Sequence, residues 1–165
     1  VQSDGAQEMT LLRSVLLQGV PSRVAKAAMA KFDQFKDQVR RDEYIAMIDF
    51  TQHSSARRFY LVHRQSGKVD TMSVAHGKKS DPDNDGWATQ FSNVPDSNMS
   101  SLGAYIIAEK YLSQRFSDSL RLDGLEPTNN NARDRAIVLH RSTSVRDGRS
   151  KQGRSFGCPA IPVSW

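Results

Sequence analysis

Apolar residues recur at helical spacing in two stretches near the amino end of the chain. The first stretch, residues 7–18, places four of them on one face: Leu11, Leu12, Val15 and Leu16. The second stretch begins at Pro21 and Ser22, a favourable pair for a helix start, and its apolar residues repeat every three to four positions as far as Val39. We therefore expect two helices, each burying its apolar face in a core.

After the second helix the pattern changes to that of β-strands. Residues 44–50 predict one strand, and residues 58–64 and 68–76 predict a hairpin whose turn contains Gly67. Three more strands are predicted further along the chain, at residues 102–112, 118–125 and 136–140. The last of these, AIVLH, is a short apolar run, which indicates a buried strand that ends at His140.

Polar segments separate these elements and predict loops, at residues 77–101, at 126–134 and after His140. The whole pattern predicts an α+β protein, in which a helical segment, residues 1–40, packs on a mixed, β-rich domain, residues 41–165. A chain of 165 residues is long enough for one domain with a substantial core, so we expect a single domain overall.

The composition is that of a globular protein without a membrane span. Hydrophobic residues make up 38% and charged residues 25% of the chain, and no run of about 18 apolar residues occurs. The chain begins with valine and has no apolar signal segment, which predicts a processed amino terminus. A single cysteine makes an internal disulfide impossible and does not fix the compartment.

The chain is basic, with a net charge of +5 and a pI of about 9.6. Seven cations lie close together late in the chain: Arg133, Arg135, Arg141, Arg146, Arg149, Lys151 and Arg154. Such a cluster suits an anionic partner, which could be nucleic acid, a membrane surface or a cell-wall polymer. Phe156 is the one aromatic close by, and no nucleic-acid-binding motif is visible, so we expect no nucleic-acid partner.

The only cysteine, Cys158, lies in GRSFGCPAIP, a bend rich in glycine, serine and arginine rather than an apolar run. Nearby cations favour the thiolate and so the reactivity of a cysteine. Gly157 would let a substrate carbonyl come close and would leave the N–H groups of residues 157 and 158 available to an oxyanion. These residues fit a catalytic nucleophile, and they also fit an inert, partly buried thiol.

His140 is the natural general base for this thiol. It ends a predicted strand 18 residues before Cys158, and a loop of that length can fold back to bring the two side chains together. By itself a histidine at a strand end is more often structural, and the lone loop cysteine is what favours the catalytic interpretation. Of the others, His76 ends a predicted strand before Gly77 and could line a cleft, and no histidine pair has the spacing of a zinc site.

The segment DPDNDG, residues 81–86, matches the opening of a calcium-binding loop. Its twelfth position is Ser92 rather than glutamate, and no helix is predicted beside it. A polar turn therefore explains the segment better than a calcium site does.

The combination of AIVLHRS and GRSFGCPAIP resembles the bacterial murein L,D-transpeptidase catalytic domain family. In that family a histidine follows a hydrophobic strand, and after a loop come serine, a variable residue, glycine and the nucleophilic cysteine. Here these are His140, Ser155, Phe156, Gly157 and Cys158. Other stretches are similar to the branch with a GRSWGCPAVP-like motif, from about Val20 to Pro162: YIAMIDFTQHSSARRFYLV, VAHGKKS, SSLGAYI and SLRLDGLEPTNNNARDRAIVLH.

The resemblance implies a mixed β fold, a thioester mechanism and neither metal nor organic cofactor. Cys158 would attack the third residue of a peptidoglycan stem tetrapeptide, D-alanine would leave, and a neighbouring stem's amine would complete a 3–3 cross-link. His140 would hold the proton, the carbonyl of Arg141 would orient its ring, and amides around Gly157 and Cys158 would form the oxyanion hole.

Stem peptides carry carboxylates, which the arginine-rich loop suits. Arg154 is the first candidate for such a contact because it lies in the cysteine loop, and Ser155, His76 and Ser101 are further candidates for substrate binding. For Arg154 and Ser155, bracing of the loop explains the residues about as well.

The resemblance leaves more than one function open. Transpeptidation is expected, but water as the acceptor would make the same site an L,D-carboxypeptidase. A wall-binding module that keeps the fold without turnover is the third possibility. All three imply an exported bacterial protein, periplasmic or associated with the cell wall.

Overall fold

The computed structural model of the protein describes residues 4–165, within which lie two α-helices and seven β-strands. The helices are α1 (Asp4–Leu17) and α2 (Ser22–Phe35), and a 3₁₀ turn (Lys36–Gln38) follows them. The strands are β1 (Tyr44–Ile48), β2 (Phe59–His63), β3 (Val69–Met72), β4 (Tyr105–Ser113), β5 (Ser117–Gly124), β6 (Val138–Ser142) and β7 (Ala160–Pro162). The α+β class predicted from the sequence is confirmed.

The chain divides into two compact units. One contains the residues up to Asp49 together with Phe59–Thr71, and the other contains Phe50–Arg58 together with Met72–Trp165. The division after residue 40 that the sequence suggests stays a prediction. In the described part of the chain, the helices lack the length and hydropathy of a membrane span.

The first unit combines both helices with a sheet of order β1-β2-β3, in which β1 and β2 are antiparallel. Buried apolar side chains from the helices and the sheet form its core: Leu11, Val15, Val20, Val24, Ala25, Met47, Tyr60 and Val62. The helical period in the sequence therefore marks the faces that are buried. Gly67 adopts a φ of +70° in the turn before β3, a conformation that favours glycine.

The second unit is built on a sheet of order β4-β5-β6-β7. Neighbouring strands are antiparallel as far as β6, whereas β7 runs parallel to β6. In this arrangement His140 of β6 lies between Ser119 of β5 and Ala160 of β7. Cys158 comes two residues before Ala160, so the fold brings the predicted base and nucleophile onto neighbouring segments.

Three strand assignments differ most from the sequence-based prediction. The strand predicted at residues 68–76 ends at Met72, so His76 lies in the segment after the strand and not at its end. Residues 160–162 form β7, where a loop was predicted, and β6 continues past His140 to Ser142. A strand of three residues that ends in proline is too short to display an alternating pattern. Its existence depends on pairing with β6, which is a tertiary contact that local sequence does not encode.

Candidate active site

The thiol of Cys158 is buried in the loop that enters β7. The N–H of Val138 donates to its Sγ at 3.4 Å, and the Sγ lies 3.8 Å from the carbonyl oxygen of Ala136. Burial raises the pKa of Cys158, against the opposing effects of the Val138 amide and of the Arg135 and Arg115 charges. At neutral pH the resting side chain is therefore a thiol, which needs a base to become a nucleophile.

The imidazole of His140 has one ring nitrogen engaged and one free. Its Nδ1 lies 3.0 Å from the carbonyl oxygen of Arg141, so we assign the ring proton to that bond. Its Nε2 is buried and has no hydrogen-bond partner among residues 4–165. In the neutral ring this atom carries an available lone pair, which is what a general base requires. That the Arg141 carbonyl orients the ring for catalysis stays a prediction. The guanidinium group of Arg141 lies 3.8 Å from the carboxylate of Asp118.

Pairing of β6 with β7 sets the relation between His140 and Cys158. The N–H of His140 donates to the carbonyl oxygen of Pro159 at 3.3 Å, directly after the cysteine. Within residues 4–165 no hydrogen bond joins the thiol to the imidazole. The two groups therefore lie on adjacent segments without being engaged with each other in this state.

Phe116, at the tip of the β4–β5 hairpin, covers the imidazole of His140. The two rings are stacked, with centroids 3.9 Å apart and planes 18° apart. Burial lowers the pKa of His140; the Arg141 carbonyl opposes this shift, and the charge of Arg115 adds to it. The imidazole is therefore neutral at physiological pH, which is the form that accepts a proton.

Phe116→Ala is expected to raise the pKa of His140 toward its ordinary value of about 6.5. Removing the stacked ring lets water reach the imidazole and relieves the burial that disfavours the charged form. An NMR titration of the His140 ring protons measures the shift. Leu112→Ala removes an exposed side chain from the same hairpin and is the control. An unchanged pKa in Phe116→Ala would contradict the covering role of this ring.

Ser155 and Gly157 shape the loop around Cys158. Ser155 Oγ donates to the carbonyl oxygen of Cys158 at 2.6 Å and accepts the N–H of Gly157 at 3.1 Å. Gly157 has a φ of +123°, and a Cβ there would lie 2.8 Å from the carbonyl oxygen of Met99, so the position requires glycine. The Gly157 N–H is thus engaged inside the loop in this state, whereas the sequence suggested that it faces an oxyanion.

The N–H of Cys158 is the remaining donor at this turn. It has no acceptor within the described residues, unlike the N–H of Gly157. A backbone N–H beside the attacking sulfur is well located to receive the oxyanion of a tetrahedral intermediate. Of the two amides predicted for the oxyanion hole, the N–H of residue 158 is therefore the one left available, and its role stays a prediction.

Arg154 joins the cysteine loop to the segment that contains Lys78 and Asp81. Its NH1 donates to the carbonyl oxygens of Asp81 at 2.8 Å and Lys78 at 3.2 Å. The side chain is nevertheless exposed, so a substrate contact through the rest of the guanidinium group stays a prediction.

His76 belongs to a buried row of polar side chains. It is 1% exposed, with Nδ1 2.8 Å from Arg58 and Nε2 3.3 Å from the Asp81 carboxylate. Burial and the Arg58 charge lower the pKa of His76 to about 4, although Asp81 opposes them. The neutral ring accepts from Arg58 and donates to Asp81, and the His76 carbonyl accepts the N–H of Ser155 at 2.9 Å. This location favours support of the cysteine loop over substrate contact.

Because His76 is buried between Arg58 and Asp81, the folding stability is expected to fall as the pH is lowered. The folded pKa of about 4 lies below the ordinary 6.5, so the unfolded chain binds more protons between these values. Stability is full above about pH 6.5 and decreases toward pH 4, by about 3 kcal/mol for the whole shift. Urea unfolding of wild type and His76→Gln at several pH values measures this, because glutamine does not titrate. Equal pH slopes for the two proteins would contradict the interpretation.

Ser101 is hydrogen-bonded to Tyr105. The two hydroxyl oxygens are 2.5 Å apart, and Tyr105 also donates to the Ser101 carbonyl at 2.8 Å. Tyr105 packs against the buried cluster that contains Cys158. Ser101 is 8% exposed, so its predicted contact with substrate would require a change at this position and stays a prediction.

Two further residues, which the sequence did not single out as candidates, lie beside His140 and the Cys158 loop. Phe116 lies in a turn between two predicted strands, where no local pattern marks it. Arg135 appeared only as one of several clustered cations. It donates to the carbonyl oxygens of Ser92 and Met99, at 2.9 and 2.7 Å, and so fixes the backbone against which Gly157 packs. Because Arg135 is far from Cys158 in the sequence, the sequence did not indicate that Arg135 belongs to the site.

Metal-ligating side chains do not converge in the described part of the chain. No group of three or more His, Cys, Asp or Glu residues within 4–165 is arranged to hold an ion. The DPDNDG segment forms a turn in which the Asp81 carboxylate accepts the N–H groups of Asp85 and Gly86 at 3.0 and 2.9 Å. Together with the His76 contact, these bonds use the carboxylate to close the turn.

Comparison with known proteins gives one finding. A family model described as the L,D-transpeptidase catalytic domain matches residues 17–165, which is most of the chain. The match contains every residue that we assigned to the site. Neither the curated proteins nor the solved structures contain a significant match.

Proposed function

Because the chain belongs to the L,D-transpeptidase catalytic domain family, which acts on peptidoglycan, we propose that it is a cysteine-dependent L,D-transpeptidase. One observation carries the proposal: His140 has an unpartnered Nε2 and lies in the strand beside the segment that follows Cys158. A buried thiol with a raised pKa and an adjacent neutral imidazole are the two parts of a nucleophile and its base.

In the first half-reaction, Cys158 Sγ attacks the carbonyl carbon of the third residue of a stem tetrapeptide. The thiol proton passes to Nε2 of His140, and the negative charge on the carbonyl oxygen is stabilised by the N–H of Cys158. Collapse of this intermediate breaks the amide bond, and the imidazolium proton goes to the leaving amine. The products are free D-alanine and a thioester on Cys158.

In the second half-reaction, the side-chain amine of a neighbouring stem attacks the thioester. His140 takes a proton from the attacking amine and returns it to the departing sulfur. A new amide bond joins the two stems as a 3–3 cross-link, and the thiol is regenerated. The Arg141 carbonyl contributes to both half-reactions, because its hydrogen bond with Nδ1 stabilises the His140 ring when that ring is positively charged.

The surrounding residues support this assignment by holding the loop. Ser155 and Gly157 fix the turn that presents the cysteine, and Arg154 is available for a carboxylate of the stem. Members of this family usually act outside the cytoplasm, and we propose an exported, periplasmic or wall-associated location for this protein. Its partners would be peptidoglycan stem peptides, not nucleic acid.

Product analysis after incubation with a disaccharide tetrapeptide tests the proposal. Cross-linked dimers together with free D-alanine are the expected products. Free disaccharide tripeptide without dimers would mean that water is the acceptor and that the protein is an L,D-carboxypeptidase. Absence of both products from the folded protein would contradict the enzyme proposal and favour a wall-binding relative without turnover.

A further inference from the structure

An exposed aromatic ring beside the nucleophile is flanked by two cations. Phe156, two residues before Cys158, is 48% exposed. Lys78 Nζ lies 4.7 Å and Arg115 Cζ lies 4.9 Å from the centre of its ring. Lys78 and Phe156 are held in register, because the N–H of Lys78 donates to the carbonyl oxygen of Ser155 at 2.7 Å. The three side chains thus form a small cationic platform at the edge of the site.

The two cations of this platform lack an anionic partner among the described residues, unlike several nearby cations. In the part of the chain that the structure describes, no carboxylate lies at ion-pair distance from Lys78 or Arg115. Three nearby cations are paired, each with a carboxylate: Lys110 with Asp118 at 3.1 Å, Arg121 with Glu109 at 3.6 Å, and Arg133 with Glu109 at 2.8 Å. Of the three cations in the described β4–β5 hairpin, Lys110 and Arg121 are thus neutralised by carboxylates and Arg115 is not.

Arg115 lies close enough to the imidazole of His140 for its charge to act on that ring. It precedes Phe116, whose ring stacks on His140, and its charge lowers the pKa of both His140 and Cys158. The leaving amine takes its proton from His140, so the residue being released has to lie against that imidazole. The terminal carboxylate belongs to that same residue and would come to lie near Arg115.

We propose that Arg115 and Lys78 bind the terminal carboxylate of the stem tetrapeptide, on the D-alanine that is released. This inference rests on the proposed function. It names the two side chains that would select the donor peptide by its terminal carboxylate. A guanidinium group supplies directed N–H donors and the ammonium group a second charge, and charge-assisted bonds to a carboxylate are stronger than neutral ones. Phe156 holds both cations in place through their contacts with its ring.

The test compares a tetrapeptide stem that has a free terminal carboxylate with the same peptide as its terminal amide. We measure kcat/KM for release of D-alanine or D-alaninamide with wild type, Arg115→Gln, Arg115→Lys and Lys78→Gln. Arg121→Gln is the matched control, because Arg121 also lies over a ring, that of Tyr111 at 4.1 Å, but has its own carboxylate partner.

Wild type is expected to prefer the free carboxylate by about 10- to 100-fold, which is the usual effect of a charge-assisted bond. Arg115→Gln should lose most of this preference, Arg115→Lys and Lys78→Gln should keep part of it, and Arg121→Gln should keep it fully. Loss of Arg115 also changes the pKa of the thiol and imidazole, but that effect is common to both peptides and cancels in the ratio. An equal kcat/KM of wild type for the two peptides would overturn the assignment. So would a ratio of the two kcat/KM values in Arg115→Gln that is the same as in wild type.

Binding separates failure of this inference from failure of the proposed function. Calorimetry with Cys158→Ala measures the affinity of both peptides without turnover. If wild type releases nothing from either peptide, the proposed function fails, yet tighter binding of the free acid that depends on Arg115 would still support the cationic site. If D-alanine is released but neither rate nor affinity depends on the terminal charge, the function stands and this inference is wrong.

Discussion

Cys158→Ala is expected to abolish release of D-alanine from a tetrapeptide stem, with a rate loss of at least about 10⁴-fold. No other cysteine is present in the chain, so the thioester has no alternative site. Removing Sγ leaves the imidazole of His140 and the loop amides in place but takes away the atom that bonds to the substrate. Release of D-alanine, followed over hours with excess enzyme, measures the loss.

The fold is expected to survive this substitution, which makes the loss interpretable. The lost contacts are the hydrogen bond from the Val138 N–H to Sγ at 3.4 Å, worth about 1 kcal/mol, and the longer contact of Sγ with the Ala136 carbonyl oxygen at 3.8 Å. Thermal unfolding of Cys158→Ala and Cys158→Ser should therefore resemble that of wild type. Binding to sacculi should also be retained. If Cys158→Ala still released D-alanine at a rate near that of wild type, the thioester mechanism would be wrong.

His140→Gln is expected to lower kcat/KM by about 10²- to 10⁴-fold. Glutamine fills much of the same space but does not take up the thiol proton or return it to a leaving amine. The pH profile should change as well. In wild type the neutral imidazole is required, so activity falls as the pH drops through the pKa of His140, which burial holds below the ordinary 6.5. This acidic limb should be absent from the profile of His140→Gln.

His53→Gln is the matched control for that experiment. His53 belongs to the same unit, but its ring nitrogens bond to Ser55 and to the carbonyl of Asp85, and it has no part in the proposed mechanism. Activity and pH profile should therefore stay those of wild type. A loss of only a few-fold in His140→Gln, with the acidic limb retained, would mean that another group carries the proton.

The fold was largely predictable where the apolar period is long and regular. The helical stripes identified α1 and α2, and alternation identified the strands from β1 to β5. β7 was missed because its three residues pair in parallel with β6, and a pairing of this kind is a property of the tertiary structure. The same pairing brings His140 and Cys158 together, which the sequence suggested only through their residue types and the loop between them.

The supporting parts of the site depended on contacts between distant segments. Cys158, His140 and the Arg141 carbonyl were candidates from motif and chemistry. Phe116 reaches His140 because β5 pairs with β6, with Ser119 opposite His140, and this pairing places the β4–β5 turn beside the imidazole. His76 was predicted to line a cleft because strand ends often do so. Its burial between Arg58 and Asp81 depends on residues up to 18 positions away, which no local pattern reveals.

Intact-protein mass spectrometry after incubation with a disaccharide tetrapeptide tests the central proposal most directly. The expected result is an adduct with the mass of the substrate minus D-alanine, located on Cys158 by peptide mapping and absent from Cys158→Ala. Hydroxylamine should remove it, since a thioester is the bond formed. A folded wild-type protein that releases D-alanine without this adduct, or carries the adduct at another residue, would contradict the account.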